Sequence, residues 1–161
     1  MEAKVEPTVV HATCVVERSF SKPASVVFAV LSEPDKIRRW MAGGSHSELL
    51  EFRCEFLEGG KQILQYKMGA DSPITGAVIT NEGRFQHIVS GERIVTASTM
   101  KMGDRIFSAS QVTFELIPKD NGTDLVITHQ GAFFEGSDGP ARREYGWNVL
   151  ADNLMSVVSE Q

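Results

Sequence analysis

The chain has 161 residues, with 16 Lys and Arg against 21 Asp and Glu, a net charge of -5 and a pI near 5.4. That length suits one domain burying about two-thirds of its unfolded surface, and the acidic balance argues against a nucleic-acid or anionic-membrane surface, because each requires a basic stripe that no stretch supplies. The densest basic cluster, Lys36-Arg38-Arg39, is short and reads as a solvated helix face.

No charge-flanked apolar run at the N-terminus resembles a signal peptide, and no apolar stretch reaches the roughly 18 residues needed to span a bilayer. A cytoplasmic protein is expected. Cys14 and Cys54 sit within alternating strand patterns rather than in a metal or redox spacing, so both read as free, small buried hydrophobes.

Residues 1–7 have little to bury and are expected to form a flexible lead-in, with residues 8–161 as a single domain. A strand is predicted from Thr8 to Phe20, placing Val10, Ala12, Cys14, Val16 and Phe20 on one face by period two. Ser21-Lys22-Pro23 supplies a capping hydroxyl and a first-turn proline for a helix with Val27, Val30 and Leu31 as its apolar stripe. Ser32-Glu33-Pro34-Asp35 ends it and starts a second short helix reaching Trp40.

From residue 48 the period changes to two. Leu50, Phe52, Cys54 and Phe56 alternate with Glu51, Arg53 and Glu55, and Glu58-Gly59-Gly60-Lys61 turns the chain into a strand from Gln62 to Met68. Further strands are expected through Gly76 to Val89, Arg93 to Met102, Ile106 to Ile117 and Thr123 to Phe133. From Pro140 onward, Trp147, Leu150, Leu154 and Val158 recur at the helical period, giving one long C-terminal helix. One helix facing many strands implies an α+β fold in which a curved antiparallel sheet of six to seven strands wraps around that helix, with two short helices after the first strand.

This order, with Pro23, Val27-Phe28, Trp40, Gly59-Gly60, Glu92-Arg93-Ile94-Val95, Thr128, Gln130-Gly131-Ala132-Phe133, Arg143-Glu144, Gly146-Trp147 and Asn153-Leu154, resembles the START-like, helix-grip superfamily. Within it the chain is similar to the SRPBCC branch related to the C-terminal domain of the activator of the heat-shock protein 90 ATPase, over roughly residues 10 to 158. Similar sequences commonly carry an acidic residue where this chain has His129, so any proton or hydrogen-bond role of that carboxylate is altered here. The loop from Phe134 to Asp138 matches the usual pattern only in part.

No catalytic or metal constellation has diagnostic spacing. His11, His46, His87 and His129 include no pair four apart on a helix, Gly43-Gly44-Ser45 lacks the lysine of a phosphate loop, and there is no nucleophile elbow or dinucleotide fingerprint. Neither a metal nor a cofactor is expected. A sheet gripping a helix encloses a space that side chains fill or a ligand occupies. Its expected lining is Trp40, Phe52, Phe56, Tyr66, Met68, Ser110, Phe114, His129, Phe133 and Trp147, with small residues at Ser108, Ser110 and Gly146 leaving room.

Each of these residues also has a purely structural reading. Trp147 and Trp40 can serve as core anchors, His129 as a hydrogen-bonded core histidine and Tyr66 as a strand-end tyrosine. Arg143 needs a partner near the helix start, Arg18 is expected to pair with a carboxylate across the sheet, and Met41, Met68, Met100 and Met102 suit an adaptable pocket or an ordinary core.

Three functions are compatible with the fold and its resemblance. The first is non-catalytic binding of a small, mostly apolar molecule by a monomer or homodimer. The second, which the resemblance implies, is a protein-interaction module stimulating a chaperone ATPase. The third is an enzyme of the cyclase, dehydratase or hydrolase type, with His129 and Tyr66 or a water as acid and base.

Overall fold

The computed structural model describes residues 3, 5–42 and 47–161; the phosphate-loop reading of Gly43-Gly44-Ser45, His46 and part of the expected lead-in lie outside these. The elements are β1 (Val10–Phe20), α1 (Ala24–Ser32), α2 (Pro34–Met41), β2 (Ser47–Cys54), β3 (Lys61–Met68), β4 (Val78–Val89), β5 (Arg93–Met102), β6 (Arg105–Lys119), β7 (Gly122–Phe133) and α3 (Pro140–Ser159). All seven strands form one antiparallel sheet in the order β1-β7-β6-β5-β4-β3-β2, so the sheet is open, with β1 and β2 at its edges. This is the helix-grip arrangement.

The core lies between the sheet and the helices. Helix α3 buries Trp147, Ala151, Leu154, Val157 and Val158 against it, and α1 adds Val27, Val30 and Leu31. From the sheet come Val16, Phe85, Ile94, Val112, Phe114, Leu125 and Ile127. Burying a Leu, Val or Ile side chain is worth about 1.5–3 kcal/mol, and Leu125, Ile127, Leu154 and Val158 are at most 1% exposed. These contacts hold the C-terminal part of α3 on the sheet. Among the described residues no helix is long and apolar enough to cross a membrane, and both cysteines are free.

Three local expectations need correction. Ser21 does not cap α1; Pro23 occupies the cap position itself in extended conformation, with no side-chain hydrogen bond. Arg18 pairs not across the sheet but with α3, donating to Asp152 at 3.0 Å and Asn148 at 3.2 Å, because its side chain lies on the face that α3 covers. In β2 a register shift between Leu49 and Glu51 turns Leu50 outward, where it is 44% exposed. A bulge inserts one residue and so exchanges the faces before it; Leu49, not Leu50, stands opposite Tyr66.

Candidate functional site

The sheet register explains why a space exists. Sideways across paired positions, Gly83 of β4, Ser98 of β5, Ser110 of β6, Gly131 of β7 and Ala12 of β1 form one row. None carries more than one heavy atom beyond Cβ. Above this row α3 places Gly146, whose absent side chain would meet no atom within 4 Å. Of this row Ser98 and Ser110, with Gly146 on the opposite surface, line a cavity of about 390 Å³ between α3 and the sheet.

Its apolar walls include Met41, Leu49, Leu64, Met100, Val112, Trp147 and Leu150, and its polar wall includes Tyr66, Asn81, Ser98, Ser110 and His129. Tyr145, 72% exposed, and Val149, 41% exposed, stand at its solvent side. Burial lifts the Tyr66 phenol above its ordinary range, with Arg143 opposing and Asp138 reinforcing the shift. The hydroxyl therefore stays protonated near neutral pH and can donate a hydrogen bond.

At one end of the cavity lies a buried polar cluster. Arg143, 8% exposed, continues the buried stripe of α3 one turn beyond Trp147. Its Nε donates to Asp138 Oδ2 at 2.8 Å and its Nη2 to Asp138 Oδ1 at 2.8 Å. Nη2 also donates to Ser108 Oγ at 2.9 Å, while Nη1 reaches His129 Nε2 at 3.3 Å and Ser110 Oγ at 3.4 Å. The guanidinium carbon lies 5.0 Å from the centre of the Phe133 ring, a cation–π placement.

A guanidinium can only donate, so His129 Nε2 is the acceptor and the ring proton sits on Nδ1. Burial and then the Arg143 charge push His129 down to about 4, despite opposing contributions from Asp138 and its own backbone. Burial alone would raise the Asp138 carboxyl, but the Arg143 hydrogen bonds and charge, helped by Ser137, outweigh it and hold the carboxyl below its ordinary value. Near neutral pH the cluster is an Arg–Asp ion pair with a neutral imidazole. With its lone-pair nitrogen committed to Arg143, His129 is placed to orient the guanidinium rather than to take a substrate proton.

Gly131 makes this arrangement feasible. A Cβ there would lie 2.8 Å from His129 Cε1 and 2.9 Å from Phe133 Cε2, so the two rings flank a position that only glycine leaves clear. Glycine at the cap of α3, Gly139 at φ 82°, turns the chain so that Asp138 and Arg143 meet across the helix start.

Of the residues named from sequence, Tyr66, Ser110, His129 and Trp147 line the cavity. Trp40 and Phe114 instead fill the core beside it, 2% and 7% exposed, with ring centres 6.2 Å apart edge-to-face. The Trp40 indole N–H is satisfied by the Val30 carbonyl at 3.1 Å. Phe52 and Phe56 pack on the core fringe, where Phe56 meets Phe28 and Phe85 edge-on. Met68, paired with Ser47 at the end of β3, lies outside the lining. Phe133 is the platform under Arg143 rather than a wall. Sequence reasoning missed Asn81, Ser98, Leu49 and Asp138; the signal for Asp138 was the unassigned partner of Arg143.

Among the described residues no group of three or more His, Cys, Asp or Glu side chains could hold a metal ion. No curated protein matches the chain. Among solved structures it is similar to a protein from Rhizobium leguminosarum at 29% identity and TM-score 0.85, covering 95% of this chain and 97% of that one. A protein from Rhizobium loti is 33% identical, with TM-score 0.83 and coverage of 94% and 99%. An AHSA1-like protein from Aeromonas hydrophila shares the fold at 21% identity and TM-score 0.67, covering 92% and 93%. The family model for Activator of Hsp90 ATPase homolog 1-like protein matches residues 21–159, which span all three helices and six of the seven strands, and the chain belongs to that family.

Proposed function

We propose that this protein binds a small, mostly apolar molecule, without catalysing its conversion, in the cavity between α3 and the sheet. The observation that carries the reading is that the small side chains of Ser98 and Ser110 and the bare Gly146 opposite them line a space of about 390 Å³. That volume falls within the roughly 300–1,000 Å³ of small-molecule sites. Met41 and Met100 add walls that adapt to ligand shape.

Native mass spectrometry of protein purified from cells, followed by a thermal-shift screen of lipophilic compounds, tests this. A retained adduct, or a melting rise abolished by Ser110→Phe, is the expected result, because a ligand of the folded state alone raises stability by mass action. Absence of both adduct and shift across a broad library would sink the reading.

A second reading, stimulation of a chaperone ATPase, is favoured by the family description together with Tyr145 and Val149, which α3 presents to solvent one turn apart. Its test is the turnover of a purified chaperone ATPase with and without the protein. A stimulation lost in Tyr145→Ala supports it, and no stimulation at saturating protein ends it.

A further inference from the structure

The donor inventory of Arg143 bears on which molecules the cavity takes, a question that rests on the proposed binding function. A guanidinium has five N–H bonds. Here all five have acceptors: two go to Asp138 and one each to Ser108, Ser110 and His129. This buried cation at the cavity therefore has no donor left for a ligand. Its charge is matched by a bidentate carboxylate, the strongest geometry available to it.

Three other wall groups are in the opposite condition. The Tyr66 hydroxyl, the Asn81 amide and the Ser98 hydroxyl line the cavity and make no side-chain hydrogen bond within the described residues. They come from three adjacent strands and all project from the same face, since Asn81 pairs with both Leu64 and Met100, and Ser98 lies two residues before Met100. Each carries a neutral O–H or N–H donor. Arg142 also reaches the cavity rim, but it is exposed, and its charge stays hydrated.

We infer that the ligand is an uncharged molecule with an apolar body and a carbonyl or hydroxyl oxygen, the oxygen lying against Tyr66, Asn81 and Ser98. A carboxylate entering this space would be stripped of water and meet a cation already neutralised and fully bonded, which is a net cost. A neutral carbonyl loses far less hydration and gains donors that otherwise face solvent. Leu49, Met41 and Leu150 supply the surface for the apolar body.

Three probes with one ring system separate the outcomes: 2-acetylnaphthalene, 2-naphthoate and naphthalene, followed through Trp147 quenching and thermal shift near pH 7.5. The expected order is the ketone first, at least ten-fold tighter than the carboxylate. Tyr66→Phe should weaken the ketone several-fold and leave naphthalene unchanged. Asp138→Asn, which removes the counter-charge of Arg143, should move the preference toward 2-naphthoate, whereas Arg142→Gln should not change the order.

Equal or tighter binding of 2-naphthoate by the unaltered protein would overturn the inference while leaving the cavity reading intact. Ketone binding that ignores Tyr66→Phe would overturn the oxygen's placement. If none of the three binds, this inference falls, and the broad library screen alone decides the cavity reading. Should Asp138→Asn fail to fold, the comparison in the unaltered protein still decides.

Discussion

Lowering the pH should destabilise this protein through one residue, His129, in a window set by its environment. Burial and Arg143 hold the folded-state value at about 4, against an ordinary 6.5. Between those values the unfolded chain carries a proton that the folded chain refuses. More protons are then bound by the unfolded state, so stability rises with pH and is lost as the pH falls below 6.5. At about 1.36 kcal/mol per pH unit, the loss reaches about 2 kcal/mol at pH 5 and is capped near ~3.4 kcal/mol once the folded state also protonates. A protein of this size should lose roughly 4–8 °C of melting temperature at pH 5 from this group alone.

The groups facing His129 do not blur the window. Asp138 has a folded-state carboxyl below its ordinary 3.8, so its contribution is present above that value and is lost only as the pH falls further. Arg143 stays charged throughout. Cys14, paired with His129 across β1 and β7, is raised by burial and Glu144 against Arg143, so it remains a thiol. Urea denaturation of the protein and of His129→Gln, between about pH 7.5 and pH 5, isolates the effect. The glutamine oxygen can still accept from Arg143 but does not titrate. The stability difference between the two proteins should move by about 2 kcal/mol in favour of the variant at the acidic end. If both lose stability in parallel, or if His129 titrates by NMR near 6.5, the buried-neutral assignment is wrong.

Other substitutions probe the same architecture. Arg143→Met keeps an apolar stem but strips donors from Asp138, Ser108, Ser110 and His129, and should cost about 2–3 kcal/mol in urea denaturation; Arg143→Lys, with three donors, should cost less. Leu50→Asp should change stability by no more than about 0.5 kcal/mol, whereas Leu49→Asp should lose at least ~1 kcal/mol and ligand binding with it, because the bulge places Leu49 on the cavity and Leu50 in solvent. Equal effects of the two would refute the β2 register. Gly146→Ala should stabilise by about 0.8–1 kcal/mol through helix propensity, read as a rise of roughly 2–4 °C in melting temperature; a fall would mean that the space over Gly146 is too small for a methyl group.

How far the sequence could be read depends on whether a pattern had one cause or two. In β6 and β7, Val112, Phe114, Leu125, Ile127 and His129 alternate inward without interruption because these strands are covered on one face, so period two located them directly. The same rule failed in β2, an edge strand, where an extra residue entered with no marking Gly or Pro and reversed the sense of Leu49 and Leu50. Asn81 and Ser98 were illegible for a different reason. Period two equates inward with apolar, and a residue facing a solvated cavity breaks that equation while keeping the geometry. Arg143 was half legible: it lies four residues before Trp147, on the buried stripe, but a charge there suggests a helix-end ion pair until the sheet supplies Ser108, Ser110 and His129.

Two parts of the interior obey opposite rules. Beneath α2, on the inner side of Trp147, the rings of Trp40, Phe114 and Phe85 fill the interior, leaving a hollow of only about 40 Å³. Toward the N-terminal half of α3, Ser98, Ser110 and Gly146 stand where larger apolar residues would bury more surface, and at Gly146 would also strengthen the helix. Gly146 alone costs about 1 kcal/mol relative to alanine, and stability margins of about 5–15 kcal/mol make that a substantial concession. A ligand present at about a hundred times its dissociation constant would contribute about 2.7 kcal/mol, more than offsetting it. An interior that stays open at a cost which ligand binding can offset is what the proposed binding function requires, and the saturated Arg143 at its end gives that interior a polarity without giving it an unmatched charge.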